Sequence, residues 1–156
     1  MIDVVVIEPY SDEFTCKISL HLKQRGAEVH VTRLTSILHK CAADIAIVPP
    51  NCTVPSTVGA MLRCKVLLLP GGVFPDFAYA DSVVTYGMGA HDTLTLSSIG
   101  GESCVLSLRR ELVTADGRIL DRQELNVHGG GTIDERLTCF GTALLLGYVV
   151  NKHLTK

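Results

Sequence analysis

The sequence predicts an α/β fold: a three-layer sandwich whose mostly parallel, Rossmann-like sheet is extended by an antiparallel meander and closed by a C-terminal helix. Three observations point there. The first half alternates short β-branched runs with amphipathic stretches, as parallel sheets with crossover connections require. The second half carries three strand-like runs with no helical period between them. The last apolar stretch begins with a helix-capping signature.

The elements follow in order. Val4-Val5-Val6-Ile7 is a continuous apolar run, the mark of a strand buried on both faces. Ser11 or Asp12 is positioned to cap the next helix, where Phe14, Ile18 and Leu22 recur on one face, and Gly26 stops it. A strand at 28–31, a short helix at 34–39 and a strand at 44–48 come next. Pro49-Pro50 ends that strand, because neither residue can donate to a ladder. A helical stretch at 56–62 leads to a strand at 65–69, closed by Pro70-Gly71-Gly72, and residues 82–86 form a fifth strand.

Beyond residue 87 the pattern changes. Residues 93–99, 104–113 and 119–127 read as strands, joined by Gly100-Gly101 and by Asp116-Gly117. Asp-Gly between two β runs signals a hairpin with both turn residues at positive φ. After His128-Gly129-Gly130-Gly131, Thr132 and Glu135 form a capping box for a helix carrying Ile133, Leu137, Phe140, Leu144 and Tyr148 on one face. Gly141 and Gly147 are expected to permit close packing within it. No linker or repeat divides the chain, so 1–156 is one domain, with a parallel half (1–87) and a meander-plus-helix half (88–156).

Composition narrows the function. Apolar residues are 47% and charged ones 19%, ordinary for a globular domain, and a net charge of −2 gives no footprint for nucleic acid or an anionic membrane. The six cysteines have no zinc-site or redox-pair spacing, and the N-terminus lacks a signal peptide's basic region, so reduced thiols in the cytoplasm are expected. The stretch 137–150 is about 14 residues, short of the ~20 that span a bilayer. Mean hydropathy of +0.31 leaves room for a homo-oligomer, such as a homodimer.

The motifs mostly exclude chemistry. Gly87-Met88-Gly89 lacks the third glycine of a dinucleotide loop, Asp92 standing in its place, and reads as a tight turn. His128-Gly129-Gly130-Gly131 has no accompanying G-x-S-x-G elbow and reads as a connector. His91-Asp92 is no metal site if it lies on a strand, where neighbours point to opposite faces. The first strand ends in Glu8-Pro9-Tyr10 instead of a phosphate-binding loop: Glu8 repels phosphate and Pro9 removes a donor. No metal and no cofactor are expected.

One resemblance stands beside this reading. Val83-Val84-Thr85-Tyr86-Gly87, Asp92, Ser98-Ile99, the Asp116-Gly117 turn, Asn126-Val127-His128-Gly129, and a helix with Ala143, Leu146 and Gly147-Tyr148 follow one another in this order. Together they resemble the later part of the central domain of Mur ligases. The resemblance implies a reduced relative that keeps the scaffold. That family's phosphate loop, Mg²⁺ ligand and C-terminal domain cannot be placed here, and Thr132-Ile133-Asp134 stand where the family has a His-Asn pair. None of its active residues carries over.

A ligand, if bound, belongs at the carboxyl ends of the parallel strands. Those ends hold Glu8, Asn51, Cys52, Gly71, Gly72 and Gly87. The expected function is a non-catalytic domain that binds a small molecule or a protein partner and has no ATPase activity. The alternative is a small cytoplasmic enzyme using Cys52 or His128 at the strand ends.

Overall fold

The computed structural model describes residues 1–54 and 61–148. Among the described residues, ten strands and two helices form around an eight-stranded sheet of order β10-β7-β6-β5-β4-β3-β1-β2, with a separate two-stranded β8-β9 ribbon. The elements are β1 (Ile2–Ile7), α1 (Glu13–Gln24), β2 (Val29–Leu34), β3 (Cys41–Ile47), β4 (Leu62–Pro70), β5 (Ala78–Tyr86) and β6 (Leu94–Ile99). They continue with β7 (Ser103–Leu108), β8 (Leu112–Val113), β9 (Ile119–Leu120), β10 (Gln123–His128) and α2 (Ile133–Leu145). Strands β1 to β5 are mutually parallel, β6 joins β5 in parallel through Tyr86 and Leu94, and β7 and β10 complete the sheet antiparallel.

The two-residue period of β1 sorts its side chains between two cores. Val4 and Val6 join a cluster with Ile18 and Leu22 of α1 and Leu137, Phe140, Ala143 and Leu144 of α2. Val5 and Ile7 join the other, with Ile37, Val48, Leu67, Leu69 and Phe77, and with Val54 and Val73 packed against it. The fold is thus the three-layer α/β sandwich expected. Among the described residues both helices cover one face, and the third layer is made of connecting segments.

Two connections explain that third layer. Strand β5 pairs with β4 in register from Leu62↔Ala78 to Pro70↔Tyr86. Residues 71–77 must therefore return the length of β4, roughly 26 Å at 3.3 Å per residue, and a helix rising 1.5 Å per residue could not. The helix expected at 34–39 is also absent. Arg33 and Leu34 pair with Val6 and Ile7 of β1, so β2 stays extended to Leu34. Beyond it only Ile37, which forms a β-bridge, is buried while Leu38 is exposed, so the segment has no apolar face to hold a helix against the core. The helix expected at 56–62 lies outside the described residues, except at its end, where Leu62 opens β4.

The second half is more broken than expected. The run 104–113 is split after Leu108, and 119–127 after Leu120, so β8 and β9 form a ribbon of their own. In its turn only Gly117 has positive φ (86°), and its N–H donates to Thr114 O. This is a three-residue hairpin loop with glycine in the left-handed position, where two left-handed residues were expected.

Helix termini supply three further outcomes. The Thr132–Glu135 capping box forms at α2. Gly141 does permit close packing: a Cβ there would stand 3.1 Å from Leu94 Cδ1 and 3.4 Å from Leu68 Cδ2. Gly147 also lies close against the Arg118 guanidinium, which occupies the space a Cβ would need, and it ends the helix at φ 81°, with the Tyr148 N–H donating to Ala143 O and the Gly147 N–H to Leu144 O. No helix among the described residues is long and apolar enough to cross a membrane.

Candidate functional site

Strand β1 delivers Glu8 to its carboxyl end, and α1 starts five residues later with its first N–H groups unpaired. Asp12 occupies the N-cap but makes no side-chain cap hydrogen bond. Glu8 does that work from a distance. Its carboxylate accepts from Phe14 N (3.0 Å), Thr15 N (2.9 Å), Thr15 Oγ1 (2.8 Å) and Ser11 Oγ (2.9 Å). Burial raises the affinity of this carboxyl for a proton, but the hydrogen bonds from Thr15, Phe14 and Ser11 outweigh it and hold the pKa below the ordinary value. A phosphate loop would offer this helix terminus to a ligand; here the anion is built in. Arg33 Nε donates to the Glu8 carbonyl at 2.8 Å and fastens the turn from the β2 side.

Asn51 is exposed at φ 56°, a left-handed position that asparagine tolerates. Cys52 turns inward, and its Sγ donates to Ile7 O at 3.4 Å. Burial, and then the charge of Glu8, push its thiol pKa up. All six cysteines are free, and the other five are raised as well, Cys64 and Cys139 to about 11. His128 ends β10 and is exposed. Four strands separate β10 from β3, roughly 24 Å at ~4.8 Å per strand, so Cys52 and His128 do not meet.

Gly71, Gly72 and Gly87 do come together. They line a cavity of about 430 Å³ at the carboxyl ends of β4 and β5, with Gly89, His91, Asp92 and Asp134. Asp92 is its centre. The side chain is buried to 7% exposure, and its Oδ2 accepts from Gly89 N at 2.9 Å. A Cβ on Gly71 would collide with Oδ1. One on Gly87 would stand 2.6 Å from Oδ2, and one on Gly89 3.0 Å from it. These glycines exist because a carboxylate occupies the space their side chains would need. In the sequence Asp92 stands where a dinucleotide-binding loop has its third glycine. Three glycines in two separate loops answering one acid gave no local pattern to find.

Part of the backbone around the cavity is paired within the chain. Gly71 N–H donates to Tyr86 O (3.0 Å), Gly87 N–H to Leu94 O (3.1 Å) and Asp92 N–H to Gly89 O (3.2 Å). Thr85 Oγ1 accepts from Thr93 N at 3.2 Å and pins the loop's far end. Tyr86 forms a wall, its hydroxyl donating to Val48 O at 2.7 Å. Burial raises the tyrosine's pKa, and the nearby charges of Asp134 and Cys52 add to it.

No family model, no curated protein and no solved structure matches this chain.

The glycine run before α2 serves the fold. Gly129 N–H donates to Glu102 O at 2.8 Å. Arg136, 6% exposed, donates to the carbonyls of Gly131 (3.0 Å), Gly100 (2.7 Å) and Gly101 (2.7 Å). One buried guanidinium therefore ties the β6–β7 turn to the start of α2, a role the sequence did not reveal. Among the described residues no three His, Cys, Asp or Glu side chains are grouped to hold a metal ion.

Proposed function

We propose that this chain is a non-catalytic small-molecule-binding domain whose ligand sits over the carboxyl ends of β4 and β5. The observation that carries the reading is the cavity of about 430 Å³ built around Asp92, within the size range of small-ligand sites and in the position where α/β sheets bind their ligands. The absence of catalysis is supported by the Cys52 thiol, whose pKa burial pushes up, and by the separation of Cys52 from His128. The absence of ATPase activity, part of the proposed kinship with a Mur ligase central domain, is supported by Glu8 occupying the N–H groups of α1. Six unpaired cysteines favour the cytoplasm as its compartment.

A thermal-shift screen of nucleotides, UDP-sugars, amino acids and small amines tests the reading. A ligand at 100 times its Kd adds about 2.7 kcal/mol, which in a chain of this size raises Tm by roughly 5–10 °C. A flat response across the panel, or turnover of ATP, contradicts the proposal.

A further inference from the structure

We propose that the Asp92 cavity recognises a protonated primary amine on its ligand. This rests on the binding reading above and specifies the chemical class.

The argument begins with what Asp92 lacks. A carboxylate buried to 7% exposure ordinarily has a cation or several donors. Among the described residues its single hydrogen bond is from Gly89 N to Oδ2, and no Lys or Arg forms an ion pair with it. Oδ1 lies against Gly71 and faces the cavity that both residues line. The fold has emptied its own side chains from this space, at Gly71, Gly87 and Gly89, while leaving the acid in place.

The rest of the lining selects the partner. Asp134 is the second carboxylate, His91 the only basic side chain, and no Lys or Arg is present. The nearest guanidinium, Arg109, is exposed and donates through Nη1 to Gly89 O at 2.6 Å. The N–H groups of Gly71, Gly87, Gly89 and Asp92 are all engaged within the chain. The positive end of α2 is answered by Asp134 and Glu135 in its first turn. Phosphate and carboxylate ligands meet net repulsion here. An ammonium group offers three donors and a charge to a site with unfilled acceptors, and charge-assisted hydrogen bonds of this kind are the strong ones.

The test is isothermal titration of the full chain with putrescine and glucosamine, beside N,N′-diacetylputrescine and N-acetylglucosamine, which carry no ammonium group. At least one of the amines is expected to bind, with its acetylated counterpart weaker by about tenfold or more. Asp92→Asn keeps the shape and removes the charge, and should weaken the same amine by about tenfold or more. Asp134→Asn, at a less buried position, should have a smaller effect. If that variant of Asp92 fails to fold, the comparison of amine with N-acetyl amine on the natural chain still decides. Equal binding of acetylated and free amines, unchanged affinity in Asp92→Asn, or binding confined to nucleotides or UDP-sugars overturns the amine assignment and leaves the binding reading standing. Silence from the amines and from the wider panel overturns both.

Discussion

At the end of β1, Glu8 gathers the donors of Phe14, Thr15 and Ser11 into one buried carboxylate. Glu8→Gln keeps the shape but turns one acceptor into a donor facing N–H groups, and should cost about 1–3 kcal/mol in chemical denaturation. The pKa of Glu8 is lowered on folding. Its contribution is therefore present above the unfolded value near 4.5 and lost as pH falls through the lower folded value. His21 acts earlier on the same acid limb. Burial, and then Arg25, lower its pKa to about 4, and its Nε2 accepts from Arg25 Nε at 2.8 Å. The unfolded chain takes up this proton near 6.5 and the folded chain does not, so stability declines as pH falls from 6.5 toward 4. Denaturation series between those pH values should show the decline, and His21→Leu should flatten it. The partners of Glu8 stand within seven residues of it, whereas His21 packs edge-on against Phe140 of α2, a contact that is not local in sequence.

Among the elements, what was legible followed from short-range chemistry. Val4 to Ile7, the stop at Gly26, the Gly100-Gly101 turn and the Thr132–Glu135 box each contain their own signal within a few residues, and each formed. What was not legible depended on distant pairing. Residues 34–39 had a weakly helical pattern, but the β1–β2 ladder held Arg33 and Leu34 extended. The run 104–113 alternated like one strand, yet the β7 ladder to β10 ends at the Gln123↔Leu108 pair and the chain leaves to form the ribbon. Arg136, a charged residue on an amphipathic helix, is buried and anchors two turns, and nothing local in the sequence signals this. Arg136→Met removes donors from three carbonyls and should destabilise the fold by about 2–4 kcal/mol, seen as a fall in Tm of several degrees. An unchanged Tm would mean that water serves those carbonyls as well as the guanidinium does.

For the whole molecule, the sheet order brings together groups from β4, the β5–β6 loop and α2. The carboxyl-end rule located this region in advance and named Gly71, Gly72 and Gly87. It also named Glu8, Asn51 and Cys52, which stand on the β1–β3 side and are absent from the lining of the cavity. Asp92 was legible only as the residue in place of a loop glycine, because its role depends on three glycines that only the fold collects. The measurement that bears most directly on the cavity is an NMR titration of the labelled chain with the amine that binds best by calorimetry. The account predicts saturable shifts of the Gly71, Gly87, Gly89 and Asp92 amides, absent in Asp92→Asn, with the Lys40–Arg63 surface and the α1–α2 face unchanged. Saturable shifts centred on either of those other surfaces, with the glycine amides still, would contradict it.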